Sequence, residues 1–356
     1  MAKLLSTFEI KGKTIKNRLV FPPCVCFSYS NTAGMVTDEN IEHYKIMAEG
    51  GSGLIVVEAT CISPDGKLSA DQLGIWDDKH IDGLKKITEV IHGENIPCLI
   101  QIHHGGYKTK PEWAENPDNI FTSSPYEMPD GTITRGAEIS DIEKAISDFA
   151  KAAQRAVKAG FDGIEIHGAH DYLISQFFSA DMNKRDDEYG KNRALFALNV
   201  VEAIKAAVPA DFIIGMRFGA SDDSMADGIH FAKLMEEAGV DILNVSSGHI
   251  RKQPEDMEDF GEEYHWVTQL GMNIKKHVNI PVICVFGVKS PEIAEKIVNT
   301  ELCDFAASAK GLLADPYWIK RYEKNEAIYP CLECKPCQFY TNGRVCPNRK
   351  RITIAE

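Results

Sequence analysis

Short apolar runs recur along the chain, and each is followed by a stretch whose apolar residues fall three and four positions apart. The runs read LVFPP (19–23), LIVVEAT (54–60), CLIQIHH (98–104), GIEIHGA (163–169), FIIGMRF (212–218), ILNVSSG (242–248), VICVFG (282–287) and FAASAK (305–310). Short apolar or β-branched runs of this kind suit strands buried on both faces. Between them, SDIEKAISDFAKAAQRAVKAG and SPEIAEKIVNTEL carry helical spacing. Ser140 and Ser290 stand where N-caps belong, and Gly160 where the first of these helices should stop. Eight strands alternating with helices predict an α/β fold, a parallel (β/α)8 TIM barrel, in preference to two domains. A doubly wound sheet would call for a G-x-G-x-x-G turn leaving a strand. GGSGLI (50–55) precedes its strand instead, so it does not qualify.

FEIKGKTIKNR (8–18) predicts a hairpin turning at Gly12 and plugging the N-terminal face of the barrel. Residues 107–138, rich in Pro, Gly, Asn and Thr, form a long excursion after the third strand, of the kind often used as a lid. A second excursion, HIRKQPEDMEDFGEEYHW (249–266), follows the sixth strand, and its acidic residues read as solvated surface.

Composition narrows the function classes. Lys and Arg total 39 against 52 Asp and Glu, a net charge of −13, which argues against nucleic acid or an anionic membrane as partner. No apolar run approaches the roughly 18 residues that span a bilayer, and the N-terminus lacks the apolar core of a secretory signal. Six of the ten cysteines (Cys24, Cys26, Cys61, Cys98, Cys284, Cys303) lie in apolar segments and read as buried thiols, consistent with a reducing cytoplasm.

Chemistry in such a barrel gathers where strands end. Glu58 and Thr60, Gln101 with His103 and His104, His167 with His170, Arg217, Ser246 and Ser247, and Lys310 all fall there. A lone strand-end histidine is more often a hydrogen-bonded structural group, but six strands delivering polar groups to one rim is a stronger signal. Scarce carboxylates argue against glycosidase chemistry. A zinc site built from the four histidines lacks an H-E-x-x-H pattern and an acidic second set of partners. Gly287 after strand seven and Lys310 after strand eight suit a phosphate held by backbone N–H groups and a cation.

These segments resemble the old yellow enzyme family of FMN-dependent oxidoreductases over residues 4–320. The resemblance rests on KNRLVFPP, GLIVVEAT, IQIHHGG, GFDGIEIHGAHDYLISQFFSADMNKRDDEYGKNR, MRFGAS, SSG, VFGVKSPEIAEKI and GLLADP, in the family's order. It implies FMN at the C-terminal rim, with Pro22, Pro23, Cys24, Val25 and Ala59 along the isoalloxazine and Gln101 at its pyrimidine edge. Arg217 would sit near N1 and O2, where a guanidinium stabilises the negative charge of reduced flavin. Gly287, Ala309 and Lys310 would hold the phosphate.

The resemblance further implies that His167 and His170 hold a substrate carbonyl oxygen and that Tyr172 is the proton donor. The reaction it implies is ping-pong: NAD(P)H reduces FMN, N5 delivers hydride to the β-carbon of an activated alkene, and Tyr172 protonates the α-carbon. Four departures stand out. Val25 replaces a flavin-tuning Thr or Cys, Phe27 a substrate-side Tyr, Asp171 a Gly, and Ala309-Lys310 a Gly-Arg pair.

Residues 331–346, CLECKPCQFYTNGRVC, hold Cys331, Cys334, Cys337 and Cys346 in a C-x2-C-x2-C-x8-C spacing. Neighbouring C-x2-C disulfides are strained and unsuited to the cytoplasm. Zinc ribbons usually show two separated C-x2-C knuckles. Three close cysteines with a remote fourth favour a [4Fe–4S] cluster, with zinc as the alternative. The resemblance points the same way: dienoyl-CoA reductase and trimethylamine dehydrogenase relatives carry such a cluster after the barrel. The dinucleotide-binding domains of those relatives are expected to be absent, because the sequence ends at residue 356. The expected organisation is therefore a barrel over 1–325 and a cysteine-rich metal-binding tail over 326–356.

The leading expectation is an NAD(P)H oxidoreductase reducing enones, enoates or unsaturated acyl thioesters. The second is a dehydrogenase that oxidises an amine or similar small molecule and passes electrons to a partner protein. A barrel keeping FMN only as a structural or sensing ligand is the third. Oligomeric state is left open, with a homo-oligomer admissible.

Overall fold

The computed structural model describes residues 2–26, 29–128, 130–221, 223–249, 252–341 and 346–349, so Phe27 lies outside the described residues. Phe8–Ile10 (β1) and Lys13–Ile15 (β2) pair antiparallel around a turn at Lys11 and Gly12, both at positive φ. Ile10 and Ile15 enter the core, while Lys11 Nζ pairs with Asp241 at 2.8 Å and Lys13 Nζ with Asp162 at 3.4 Å. Those two aspartates immediately precede barrel strands, so the hairpin covers the N-terminal face as the pattern predicts.

The next three strands are Leu19–Phe21 (β3), Leu54–Cys61 (β4) and Cys98–His103 (β5). The excursion after β5 contains a small hairpin, Tyr126–Glu127 (β6) with Ile133–Thr134 (β7). Gly163–Gly168 (β8), Ile213–Gly219 (β9), Ile242–Ser246 (β10), Val282–Val285 (β11) and Phe305–Ala307 (β12) complete the set. β3, β4, β5 and β8–β12 form one closed barrel, every pairing is parallel, and β9 with β10 shuts the ring. Each falls within or just beyond its predicted run. The last run is shorter than its letters suggest: Ser308 leaves the strand, and a helix begins at Ala309.

Helices cover the strands with amphipathic faces. Ile139–Lys158 buries Ile142, Ala145, Phe149, Ala152, Ala153 and Ala156, the three-and-four spacing of one helical face. Removing a ring such as that of Phe149, fully buried here, typically costs about 3–5 kcal/mol. This helix starts differently from the expectation. Glu138, not Ser140, is the cap, and Asp141 returns a carboxylate to the Glu138 N–H at 2.8 Å. Arg135 fixes Asp141 at 2.5 Å, so Ser140 is left inside the first turn. Gly160 follows the helix at φ +86°, a conformation glycine adopts without steric cost, and ends it as read. Ser290 caps Pro291–Asn299 through the Ile293 N–H.

β4 carries an irregularity between Val57 and Thr60 that takes Glu58 and Ala59 out of the regular ladder. Their freed backbone groups find side chains. Glu58 N–H donates to the Tyr44 hydroxyl oxygen at 2.8 Å, and the Ala59 carbonyl accepts from Gln72 at 2.8 Å. Bulges of this kind re-aim side chains beside functional sites. Among the described residues no helix is long and apolar enough to cross a membrane.

Candidate active site

The C-terminal rim of the barrel collects the polar residues read from the strand ends. At the base of this site lies a buried amide–carboxylate layer. Gln101 on β5 donates to Glu165 Oε1 at 2.7 Å, and Asn244 on β10 donates to Glu165 Oε2 at 2.8 Å. Glu165 on β8 is 1% exposed. Burial raises its pKa, opposed by the nearby Arg217 guanidinium. Arg217 on β9 keeps one buried nitrogen, Nε, with no hydrogen-bond partner among the described residues. An unpaired buried guanidinium N–H is costly, so its presence fits a site built to receive an acceptor.

Above this layer stand three rings. His167 closes β8, and its Nδ1 accepts from the Ala169 N–H at 3.2 Å. Burial holds the His167 pKa well below its ordinary value, so the ring is neutral and its proton sits on Nε2. That nitrogen lies 3.2 Å from His170 Nδ1, and His170 Nε2 lies 2.8 Å from Ser246 Oγ at the end of β10. The Tyr172 ring packs 4.4 Å from the His167 ring and 5.5 Å from the His103 ring. Tyr172 precedes the short helix Leu173–Phe178, and its hydroxyl lies within electrostatic reach of Arg217. The chain reaches Tyr172 through His170 at φ +58° and Asp171 at φ +65°.

His103 and His104 play other parts. His103 Nε2 meets Gln72 Nε2 at 2.7 Å, and His104 turns its Nδ1 to the Gly106 N–H and its ring to Phe121. The four histidines therefore do not converge as a zinc site would require.

Pro22, Pro23, Cys24 and Val25 leave β3 along one side of the rim, and buried Ala59 lies on the irregular end of β4. Glu58, fully buried, accepts from the Cys26 N–H at 2.7 Å and so ties this segment to β4. Burial pushes the Cys24 thiol up to about 12 and the Glu58 carboxyl up to about 7. On the other flank of β3, Gly287 follows β11, two strands away, at φ +69°, and a Cβ there would meet His265 at 2.8 Å. Ala309 and Lys310 open the helix Ala309–Ala314 just past β12.

The tail comes to the same rim. Cys331, Cys334, Cys337 and Cys346 all line one cavity with Lys310 and Phe339, and none of them is in a disulfide. The six cysteines of the apolar segments are likewise unpaired and are buried, as read. Phe339 is buried, its ring 6.0 Å from His43 and 6.4 Å from Tyr29. Tyr340 follows it, hydrogen-bonds the Cys24 thiol, and lies within electrostatic reach of Arg217. Arg349 Nη1 lies 3.3 Å from His43 Nδ1.

Three features of this site escaped the sequence reading. Glu165 and Asn244 face the barrel interior in the middle of apolar strands, and only their period-two spacing from His167 and Ser246 hints at them. Tyr340 lies 316 positions from the thiol it touches, a contact that local pattern does not encode.

Comparison with known proteins agrees with this architecture. Residues 3–328 match the model of the NADH:flavin oxidoreductase / NADH oxidase family. The chain is 39% identical to an NADH oxidase of Thermoanaerobacter brockii, across 99% of this chain but 55% of that protein. It is 38% identical to an NADPH dehydrogenase of Bacillus licheniformis, across 90% of this chain and 94% of the relative. Among solved structures, a complex of 2-naphthoyl-CoA reductase with 2-naphthoyl-CoA superposes with a TM-score of 0.89 at 24% identity. It covers 98% of this chain and 57% of that one. An old yellow enzyme homologue from Zymomonas mobilis gives 0.79 at 23% identity, covering 96% and 98%. At these identities the two structures establish the fold, and the matched sequences establish the family. The chain belongs to the NADH:flavin oxidoreductase / NADH oxidase family of FMN-dependent oxidoreductases.

Proposed function

We propose that this protein is an FMN-dependent NAD(P)H oxidoreductase that reduces alkenes activated by a neighbouring carbonyl: enones, enoates or unsaturated acyl thioesters. The observation that carries the reading is the meeting of His167, His170 and Tyr172 at one rim, with Arg217 in electrostatic reach of Tyr172. Bound FMN supplies hydride acceptance from NAD(P)H and hydride donation to the alkene. Pro22, Pro23, Cys24, Val25 and Ala59 would flank it, Gln101 would meet its polar edge, and Gly287, Ala309 and Lys310 would hold its phosphate. The unpaired Arg217 Nε fits this cofactor, because a flavin offers an acceptor there and gains negative charge on reduction.

The neutral Nε2–H of His167 and the ring of His170 would share the substrate's carbonyl oxygen. For both N–H groups to converge on it, His170 must turn its Nδ1 away from His167, a tightening common on substrate binding. The two donors stabilise charge that develops on that oxygen. The Tyr172 hydroxyl supplies the proton to the α-carbon. NADH- or NADPH-dependent loss of an enone's absorbance tests this function. An enzyme that turns over NAD(P)H with oxygen but leaves every activated alkene unreduced would overturn it.

The convergence of four cysteines on one cavity favours a second element, a tail [4Fe–4S] cluster held by Cys331, Cys334, Cys337 and Cys346. Four thiolates are the usual ligand set for such a cube, whose bound chemistry is one-electron transfer. Zinc is the competing occupant. With a cluster in place, oxidation of an amine or similar small molecule, with electrons leaving to a partner protein, becomes the alternative activity. Reduction of a dye by an amine without NADH distinguishes it.

A further inference from the structure

We propose that Asp171 is a positioning residue that fastens two rim loops to the turn presenting His170 and Tyr172. Its carboxylate is nearly buried, at 6% exposure for the residue, and it is held from two directions. Lys108, in the loop after β5, places Nζ 2.9 Å from Oδ2. His249, in the loop after β10, bonds Oδ1 through Nδ1. The Asp171 carbonyl accepts from Gln176 Nε2 at 2.5 Å, and the same amide reaches the Gly105 carbonyl at 3.0 Å. One residue therefore joins the ends of β5, β8 and β10.

Backbone conformation supplies the reason for so many holds. His170 and Asp171 are consecutive non-glycine residues in the left-handed region, which L residues rarely occupy. Such a turn persists only where its surroundings over-determine it, and such conformations cluster at functional sites. His170 is tied by His167 and Ser246, and Asp171 by Lys108, His249 and Gln176. The next residue is Tyr172. A carboxylate so deep also needs its cation, so Lys108 is held in place in turn. Released from Asp171, the two loops would move independently of the turn and blur the placement of Tyr172.

The inference rests on the proton-donor reading of Tyr172, and the experiment separates the two. The FMN-loaded full chain is compared with Asp171→Ala, Asp171→Asn, Tyr172→Phe and the Asp171→Ala/Tyr172→Phe double variant. Asp171→Ala should speed amide hydrogen exchange in residues 105–110 and 246–249 while FMN content is retained. It should slow flavin reoxidation by an enone about 10- to 100-fold. Asp171→Asn keeps an acceptor and tolerates the left-handed turn, so it should recover part of that rate, and it decides the matter should the alanine variant fail to fold. Asp171→Ala should slow the Tyr172→Phe variant less than it slows the wild type, because part of its effect acts through the tyrosine. Unchanged exchange in both loops, or fully additive slowing, overturns the proposal. A silent Tyr172→Phe would sink the proton-donor reading instead, and loop exchange would still decide whether Asp171 holds the rim.

Discussion

Glu165 accepts one hydrogen bond from Gln101 and one from Asn244, at 2.7 and 2.8 Å, and lies beside the Arg217 guanidinium. This one carboxylate both accepts from two buried amides and offsets the charge proposed to face the flavin. Glu165→Gln replaces an acceptor with a donor, so one amide N–H must lose its partner. A buried unsatisfied donor costs about 1–3 kcal/mol, which thermal unfolding should reveal. With its counter-charge removed, Arg217 should stabilise reduced flavin more, and the flavin potential should rise. An unchanged potential in a folded variant would separate Glu165 from the redox site.

Arg217→Ala should move the potential the other way. A charge-assisted hydrogen bond is worth about 1.5–3 kcal/mol, and here it would favour the anionic reduced state. Redox titration against a dye is the check, and a potential equal to wild type with FMN bound would place Arg217 outside the flavin's reach.

Tyr172→Phe removes one hydroxyl and keeps the ring packed on His167. Loss of a general acid commonly costs about 10²–10⁴-fold. Stopped-flow measurements should find that loss in flavin reoxidation by an enone, while reduction by NAD(P)H changes little. Equal slowing of both halves would disprove the assignment.

Much of this was legible in the chain and some was not, for physical reasons. The barrel strands announced themselves because each is buried on both faces and separated by helices of a different period. The N-terminal hairpin was legible from its turn. Rim residues such as His167 and Arg217 stood out as polar groups ending apolar runs. Glu165 and Asn244 did not, because a buried polar layer is made by strands far apart in sequence. The cap at Glu138 was also hidden. It depends on Arg135 steering Asp141, a tertiary detail layered over the local preference that favoured Ser140.

Cys334→Ala tests the tail. If four cysteines hold a [4Fe–4S] cluster, the wild-type chain should contain about four irons, and the variant should lose most of them with the broad absorption near roughly 400 nm. FMN should remain. One zinc per chain and no labile sulfide would refute the redox reading.

Stability should fall with acid. Burial holds His103 down to about 3 and His104 to about 4, and His43 and His167 well below their ordinary range. The unfolded chain takes up protons below about pH 6.5 while the native rings stay neutral, so stability is lost as pH falls from there. Glu58 works in the opposite sense. Its raised pKa, about 7, favours the native state at low pH and gives up that stability as pH rises from its unfolded value, 4.5, to about 7. Glu165, whose pKa burial also raises, acts in the same sense as Glu58. Four rings outweigh these two carboxyls, so unfolding temperatures should decline from pH 6.5 to 4.5, and Glu58→Gln should steepen the decline. A flat profile would contradict the buried, neutral state of these histidines.

Phe339 and Tyr340 sit just beyond Cys337, one in the core against His43 and the other at the Cys24 thiol. The tail thus lines the rim proposed to hold the flavin as well as carrying the four proposed metal ligands. A group bound by the four cysteines would then fix how that lining stands, and occupancy of the tail should be reported by the flavin's own colour and fluorescence. Partial oxidation of the thiols would then produce a mixed population whose flavin spectra differ, even where every barrel is correctly folded.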